Sequence, residues 1–349
     1  MRQLEDLRLQ GQHFCTDAPY YRLLNAEQLT LSQNLKSEES TMAAEVLGWW
    51  GVPLGILAGT LRGSAPFLFV SLGECLTEKS GKINLGLEGT LLTGAMSAYA
   101  ISYQTGSPWL GVLAAGLAGM VLGCIHAWLC IQPKVNDIAV GIAMIIFGSG
   151  IAFFFGKPFI QPSATQLPSL PLGAWSHLPP VQSALQICPL FLLGVAIAPL
   201  MQWFFKSTRW GLFIRAVGDS PDAAKAMGIS INKVRMLCII AGSFLAGIGG
   251  AYLSLYYPGS WTERISSGQG LMAVALVIFA RWNPVQCLYA SLLFGGAQAI
   301  GPALQSVGVD SYYYLFNASP YILTLAIMII TCSPKRTLTG APGSLGTNT

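Results

Sequence analysis

The chain has 349 residues, of which 53% are hydrophobic and 10% charged, and its formal net charge is +4. Soluble proteins carry about 25% charged residues. With this composition and a mean hydropathy of +0.55, the chain would expose a largely apolar surface if it were soluble. An ordinary soluble domain is therefore excluded. The basic residues form no stripe interleaved with aromatic residues, which argues against a nucleic-acid partner. The composition predicts an all-α, polytopic membrane helix bundle.

The first 41 residues differ from the rest, because they are polar and contain no apolar run. They lack the apolar segment of a signal peptide. We expect a disordered extension over residues 1–41, either a soluble tail or an upstream segment ahead of a start at Met42. The membrane domain is predicted over residues 42–335 and a short C-terminal tail over residues 336–349.

Ten apolar runs follow, and they predict about ten transmembrane helices. Because several runs are short, the predicted range is eight to ten. The runs are residues 46–61, 64–77, 86–104, 109–131, 138–156, 187–205, 236–257, 267–281, 283–302 and 318–332. The spans are rich in small residues, as in residues 111–123, 242–250 and 295–301, and this spacing allows close helix approach in lipid. A compact bundle is therefore expected.

The segments between the apolar runs, here called joints, differ in their number of basic residues, and joints on alternate sides of the membrane alternate between many and few. If residues 206–235 are cytoplasmic, the joints on that side hold twelve Lys and Arg, against three on the other side, which are Arg62, Lys157 and Arg264. The positive-inside rule predicts this asymmetry, and both termini then lie in the cytoplasm. The twelve inside are Lys79, Lys82, Lys134, Lys206, Arg209, Arg215, Lys225, Lys233, Arg235, Arg281, Lys335 and Arg336.

Residues 73–89 place polar side chains among glycines at membrane depth. Glu74, Asn84 and Glu88 are predicted to have buried structural or pathway roles, because charge at that depth is costly and a broken helix is tolerated only inside protein or beside a cavity. Glu78 and Lys79 fit a solvated cytoplasmic loop equally well. Discontinuous helices of this kind are common in transporters.

The outer joints are residues 156–185, which hold six of the twenty prolines, and residues 256–268. Their aromatic and histidine side chains fit interfacial anchoring better than contact with a ligand or a docked protein. They are Trp175, His177, Tyr257 and Trp261. The eight cysteines lie mostly in apolar runs without metal-site spacing, so we expect small buried residues and no metal or cofactor.

A polar island over residues 206–235 contains a short helix whose ends are marked by sequence. Asp219 or Ser220 suits the N-cap, Pro221 the first position and Asp222 the first turn, and Gly228 stops the helix. Two turns are marginally stable alone, so this helix is expected to dock against a soluble partner.

Three segments resemble the permease subunits of binding-protein-dependent ABC importers, in the branch for simple sugars and nucleosides within the branched-chain amino acid and ribose permease superfamily. They are GECLTEKSGKINLGLEGTLLTGA from Gly73, GLFIRAVGDSPDAAKAMGISINKVRMLCIIAGSFLAGIGGAYLSL over residues 211–255, and ARWNPVQCLYASLLFGGAQA over residues 280–299. The first carries the signature residues Gly73, Glu74, Glu78, Lys79, Gly81, Asn84, Gly86, Glu88 and Gly89. Together they extend the resemblance over most of residues 46–332.

The resemblance implies a transport subunit, not an enzyme, in the inner membrane of a prokaryote, importing a nucleoside or simple sugar-like solute. It implies ABC ATPase subunits, a second permease and an external solute-binding lipoprotein as partners. The chain contains no GxxxxGK[ST] motif, so ATP would be used by the ATPase partner. The coupling residues implied are Asp219, Ser220, Pro221, Asp222, Ala223, Ala224, Lys225, Met227 and Gly228.

The two alternative functions are an ion-coupled secondary transporter and a polytopic membrane enzyme. An ion-coupled secondary transporter of a small polar solute would make use of the buried carboxylates but would not need a docking helix. A polytopic membrane enzyme would need a motif such as HExxH or GxSxG, and neither occurs in the chain.

Overall fold

The structure is a computed structural model that describes residues 51–132, 134–160, 162–173, 181–182, 185–309, 315–316, 318–331 and 340–345. Several sequence predictions fall outside these residues. They concern the extension 1–41, the aromatic and histidine pair Trp175 and His177, and the basic residues Lys335 and Arg336.

The described chain is mainly helical. The helices are α1 Gly51–Lys79, α2 Leu87–Thr105, α3 Pro108–Ile131, α4 Asp137–Gly156, α5 Pro189–Ser207, α6 Arg209–Asp219, α7 Pro221–Ala226, α8 Ile231–Leu255, α9 Gln269–Phe279, α10 Pro284–Gln305 and α11 Ser319–Thr331, with a 3-10 turn at Lys157–Phe159. Two short strands, β1 Leu170–Pro171 and β2 Gln186–Ile187, pair antiparallel with Leu170 opposite Ile187 and Pro171 opposite Gln186.

The first two predicted spans form one helix, which corrects the predicted topology. Runs 46–61 and 64–77 were separated at Arg62, but α1 is continuous from Gly51 to Lys79 and contains Pro66. Arginine is a good helix former, so one charge within an apolar run does not end a helix. Arg62 is therefore part of a helix and not an outer joint.

Six helices among the described residues are long and apolar enough to cross a membrane, fewer than the ten predicted. They are Gly51–Lys79, Pro108–Ile131, Asp137–Phe159, Pro189–Ser207, Ile231–Leu255 and Pro284–Gln305. The predicted span 267–281 is a shorter apolar helix, α9, of 11 residues. At 1.5 Å per residue α9 is about 16 Å long, little more than half the thickness of the hydrocarbon core.

Helix α8 lies at the centre and packs against α1, α2 and α3. Glycines on these helices allow close contact: a Cβ at Gly73 would strike the Gly242 carbonyl, a Cβ at Gly94 the Gly247 carbonyl, and a Cβ at Gly250 the Leu91 carbonyl. The compact, small-residue packing predicted from the sequence is thus confirmed for residues 242–250.

The joints gather at two ends of the bundle. At one end, Lys82 pairs with Asp137 at 2.9 Å, and the Arg235 Nε donates to the Ser80 carbonyl at 3.2 Å. Gly218 lies against the Lys79 carbonyl. The Trp282 indole, in the loop after α9, donates to Glu78 near the end of α1. The loops after α1, α3, α6 and α9 therefore share this end, which we call the basic end.

The opposite end is built from the outer joints. The Tyr99 hydroxyl donates to the Pro162 carbonyl at 2.8 Å, and the Leu167 N–H donates to the Leu255 carbonyl at 2.9 Å. Trp261 is 1% exposed, and its indole N–H donates to the Gly156 carbonyl at 3.0 Å. Trp261 is therefore a buried structural residue, and neither the ligand contact nor the interfacial anchor considered from the sequence applies.

The described cysteines are free thiols packed within the bundle. Cys75, Cys130, Cys188, Cys238 and Cys287 are buried and Cys124 is half-buried. At Cys188, just before α5, burial raises the pKa of the thiol to about 11, so the thiol stays protonated at neutral pH. This agrees with the packing role predicted for these six residues.

Candidate coupling helix and buried carboxylates

The short helix α7 begins with a side-chain cap. The Ser220 hydroxyl accepts a hydrogen bond from the Ala223 N–H at 3.4 Å, and Pro221 occupies the first turn with Asp222. Of the two N-cap residues considered from the sequence, the structure selects Ser220. Asp219 is instead the last residue of α6.

Helix α7 ends in a glycine stop. Gly228 has φ of +77°, its N–H donates to the Lys225 carbonyl at 3.0 Å, and the Ile229 N–H donates to the Ala224 carbonyl at 3.0 Å. These two bonds define a Schellman motif, which satisfies carbonyls that a helix end leaves open. The predicted stop at Gly228 is thereby confirmed.

The exposed and buried faces of α7 are sharply divided. Ala224 is 1% exposed and belongs to the hydrophobic core, whereas Met227 is 74% exposed and Ala223 is also exposed. Ala224 therefore packs inside this chain, so only the other face of α7 is free to meet a partner. The remaining coupling residues predicted from the sequence, Asp219, Ser220, Asp222, Lys225 and Gly228, are exposed, and Pro221 is half-buried.

A segment of the predicted C-terminal tail is fixed next to α7. We call residues 340–345 the C-terminal hook. The Ser344 N–H and hydroxyl both donate to the Gly218 carbonyl, at 2.9 and 2.7 Å, and Arg235 Nη2 donates to the Ser344 hydroxyl at 3.4 Å. Gly343 lies so close that an added Cβ would meet the Asp219 carbonyl. The hook thus ties the end of α6 to the start of α8.

Glu74 and Asn84 hold the loop between α1 and α2 in place. The Asn84 N–H donates to Glu74 Oε1 at 2.8 Å, and the Asn84 amide donates to the Ser243 hydroxyl on α8 at 3.2 Å. The Asn84 side-chain oxygen accepts from the Gly86 N–H at 3.0 Å. Both side chains are buried, at 0% and 1% exposure, as the sequence predicted.

Glu88 caps the half-helix α9 from across the bundle. Its Oε1 accepts from the Ser266 hydroxyl at 2.5 Å and the Gly268 N–H at 3.1 Å, and its Oε2 accepts from the Gly270 N–H at 2.7 Å. The N-terminus of a helix carries a partial positive charge and free N–H groups, so it stabilises a carboxylate without a cation. Glu88 therefore has the buried structural role that was one of its two predicted roles.

From the sequence, Glu78 fits a solvated loop and a buried position equally well, and the structure places it in the core. Glu78 is 1% exposed and accepts a hydrogen bond from the indole N–H of Trp282. Trp282 itself is 2% exposed and has φ of +54°, which is rare for a bulky residue. The spacing of four residues from Glu74 to Glu78 was the available signal, because such residues share one helix face.

These buried groups hold parts of the bundle together that are far apart in sequence. No group of His, Cys, Asp and Glu suited to a metal ion occurs among the described residues. His126, for which no role was predicted, is buried with its Nε2 at 3.3 Å from the Cys130 sulfur. The buried carboxylates and Asn84 together link α1, α2, α8, α9 and the loop between α9 and α10.

Six helices long and apolar enough to cross a membrane are typical of a polytopic membrane protein, and a short helix such as α9 within the bundle is common in transporters. Residues 56–332 match the family described as branched-chain amino acid transport system / permease component. The chain belongs to this family of permease components, and it is a multi-pass protein of the cell membrane.

Three relatives show the range of the family. The chain is 35% identical over 260 residues to a putative glucose ABC transporter permease of Haloferax volcanii, covering 73% of this chain and 79% of the relative. It is 31% identical over 292 residues to a guanosine ABC transporter permease of Bacillus subtilis, covering 77% and 89%. It is 27% identical over 292 residues to a nucleoside ABC transporter permease of Lactococcus lactis, covering 79% and 91%.

Proposed function

We propose that this chain is one of two permease subunits of an ATP-driven importer that moves a nucleoside or a simple sugar into the cell. The names of the relatives indicate these solutes. The observation that carries the coupling role is α7, a capped helix with one face packed inside the chain and the other exposed. The sequence has no phosphate-binding loop, so a partner ATPase would hydrolyse ATP.

In this proposal the basic end lies in the cytoplasm. Its described joints and helix ends hold ten Lys and Arg, whereas Lys157 and Arg264 lie in the joints of the opposite end. This distribution follows the positive-inside rule. The exposed face of α7 would then sit in a groove of the ATPase, and an external solute-binding lipoprotein would meet the opposite end.

Movement of α7 has a physical route into the membrane domain. Gly218, one residue before the end of α6, lies against the Lys79 carbonyl at the end of α1. Arg235, in the first turns of α8, bonds to Ser80 in the next loop. A displacement of α7 by the ATPase would therefore move α1 and α8, the most tightly packed helices, as one body.

The alternative function, an ion-coupled carrier, has one supporting observation. Glu74 Oε2 is buried without an N–H or O–H donor among the described residues, and the buried carboxyl of Glu78 lies one turn along α1, an arrangement that suits a shared proton. The two functions differ in their energy source. Uptake into vesicles that collapses with an ionophore but persists with an inactive ATPase would favour the carrier.

The direct test replaces the exposed face of α7. The double variant Ala223→Glu and Met227→Glu is expected to reduce uptake at least tenfold and to prevent co-purification of the ATPase, because two carboxylates would have to be desolvated in the groove. The control is the double variant Ala223→Ser and Met227→Leu, which keeps the surface small and neutral. Normal uptake and normal ATPase association in the glutamate variant would contradict the coupling role.

A further inference from the structure

A cavity of about 310 Å³ lies beside the first residue of the half-helix α9. Its walls come from α1, α9, α10, α11 and the joint of residues 256–268, and we call it the half-helix cavity. Gly63 on its α1 wall lies about 18 Å along the helix from Gly51 and about 24 Å from Lys79, at 1.5 Å per residue. The cavity therefore lies near the middle of α1.

The side chains of the cavity leave a hydrogen-bond acceptor unused. Gln269 is 9% exposed, and its Oε1 is buried without a hydrogen-bond partner in the part of the chain that the structure describes. Leaving a buried acceptor unpaired is costly, so turning the Gln269 carboxamide toward a ligand donor in the cavity would be favourable. Gln298 supplies a second carboxamide from α10, at the wall formed by Gly63.

Two tyrosines give the cavity flat apolar surfaces. Tyr257 and Tyr321 line it and are 40% and 51% exposed. The Tyr321 hydroxyl donates to the Ser267 carbonyl at 3.1 Å, which fixes this ring next to the start of α9. Tyrosine rings offer stacking surfaces to flat ring systems at low cost in side-chain entropy.

The cavity is suited to an uncharged ligand. None of its ten described lining residues is charged. The nearby carboxylate of Glu88 is occupied by three donors at the start of α9, so it neither offers a free charge nor leaves the helix N-terminus open to an anion. A cavity of this volume is at the lower end of the range for small-molecule sites.

We propose that the half-helix cavity is a transient binding site for a nucleoside on the transport pathway, with Gln269 and Gln298 bonding its polar edges and Tyr257 and Tyr321 facing its base. The proposal rests on the importer function proposed above. Two amides and two rings match a neutral solute that has hydrogen-bonding edges and a flat face. A hexose shares the hydrogen bonds but has no aromatic face.

The test measures ATP-dependent uptake of adenosine, guanosine, uridine and glucose by the assembled importer in vesicles. Gln269→Leu and Gln298→Leu are each expected to lower maximal nucleoside uptake about tenfold, the factor that one lost hydrogen bond produces. Tyr321→Leu should reduce nucleoside uptake more than glucose uptake. Gln286→Leu, on an exposed position of α10, is the matched control and should transport normally.

Assembly and ATPase activity without solute are measured for every variant, and a leucine variant that does not assemble is replaced by its asparagine equivalent. Absence of ATP-dependent uptake by the wild-type importer would overturn the proposed function itself. Wild-type uptake with unchanged maximal rates and solute preference in the Gln269 and Gln298 variants would overturn only the cavity proposal. Uptake of glucose but no nucleoside would also overturn it.

Discussion

Glu88 lies inside an apolar bundle with donors from the start of α9 around its carboxylate. Three donors, from Ser266, Gly268 and Gly270, surround it. A carboxylate at membrane depth is costly unless such partners are present. The carboxylate in turn holds the end of the joint of residues 256–268 against α2. The donors stabilise the Glu88 carboxylate, and the carboxylate in return accepts hydrogen bonds from N–H groups at the start of α9, a helix that begins within the bundle.

We predict that Glu88→Gln destabilises the bundle by about 1–3 kcal/mol, because the amide NH₂ would face backbone donors and leave them unsatisfied. The thermal unfolding midpoint of the purified chain in detergent would fall. Glu263→Gln, at an exposed position of the same joint, is the control. Equal midpoints for the two variants would show that the cap at α9 contributes little.

Gly228 offers a second test at the scale of one residue, because its matched control lies at the other end of the bundle. Gly228 and Gly106 have φ of +77° and +71°, and nothing lies within 4 Å of a Cβ added to either. Valine at each position would therefore cost about the same, roughly 1–2 kcal/mol for a left-handed conformation. Gly228→Val is expected to impair uptake severalfold and Gly106→Val to leave it normal. Equal uptake in the two variants would argue against a coupling role for α7.

At the scale of elements, the hook is a part of the basic end that no sequence pattern indicated. Residues 340–345 read as a polar tail, yet Ser344 is 4% exposed and bonds to Gly218 and Arg235. The hook could not be predicted, because its partners are 109 and 126 residues away in sequence. Helix α7 could be predicted, since its cap, proline and stop glycine are all within nine residues of one another.

A chain ending after residue 339 should lose about 1–3 kcal/mol of stability at the basic end, since the Gly218 carbonyl and Arg235 would lose partners. Hydrogen exchange of the amides in residues 216–222 would accelerate. A chain ending after residue 345 keeps the hook and should exchange at the normal rate. The same rate in both truncated chains would mean that the hook does not secure α6 and α7.

At the scale of the whole molecule, the side of the membrane on which each end of the bundle lies can be measured directly. With Cys15 and Cys332 changed to serine, Thr262→Cys should react with an impermeant maleimide in intact cells. Ser220→Cys should react only after the cells are permeabilised, because the basic end is expected inside. Both positions are exposed and lie at opposite ends of the bundle. The reverse pattern of labelling would invert the topology.

The sequence by itself determined the membrane class, the family and the capped helix, because composition, signature residues and helix caps are local properties. It also placed Glu74, Asn84 and Glu88 in the interior, since charge and amide groups within apolar runs need partners. The prediction of two spans separated at Arg62 was wrong, because a charged residue lowers the hydropathy of the segment without ending the helix. The tertiary structure decided which groups those side chains meet. It also decided that Ala224 faces inward and that four helices enclose a cavity, since these depend on helix packing between residues far apart in the chain.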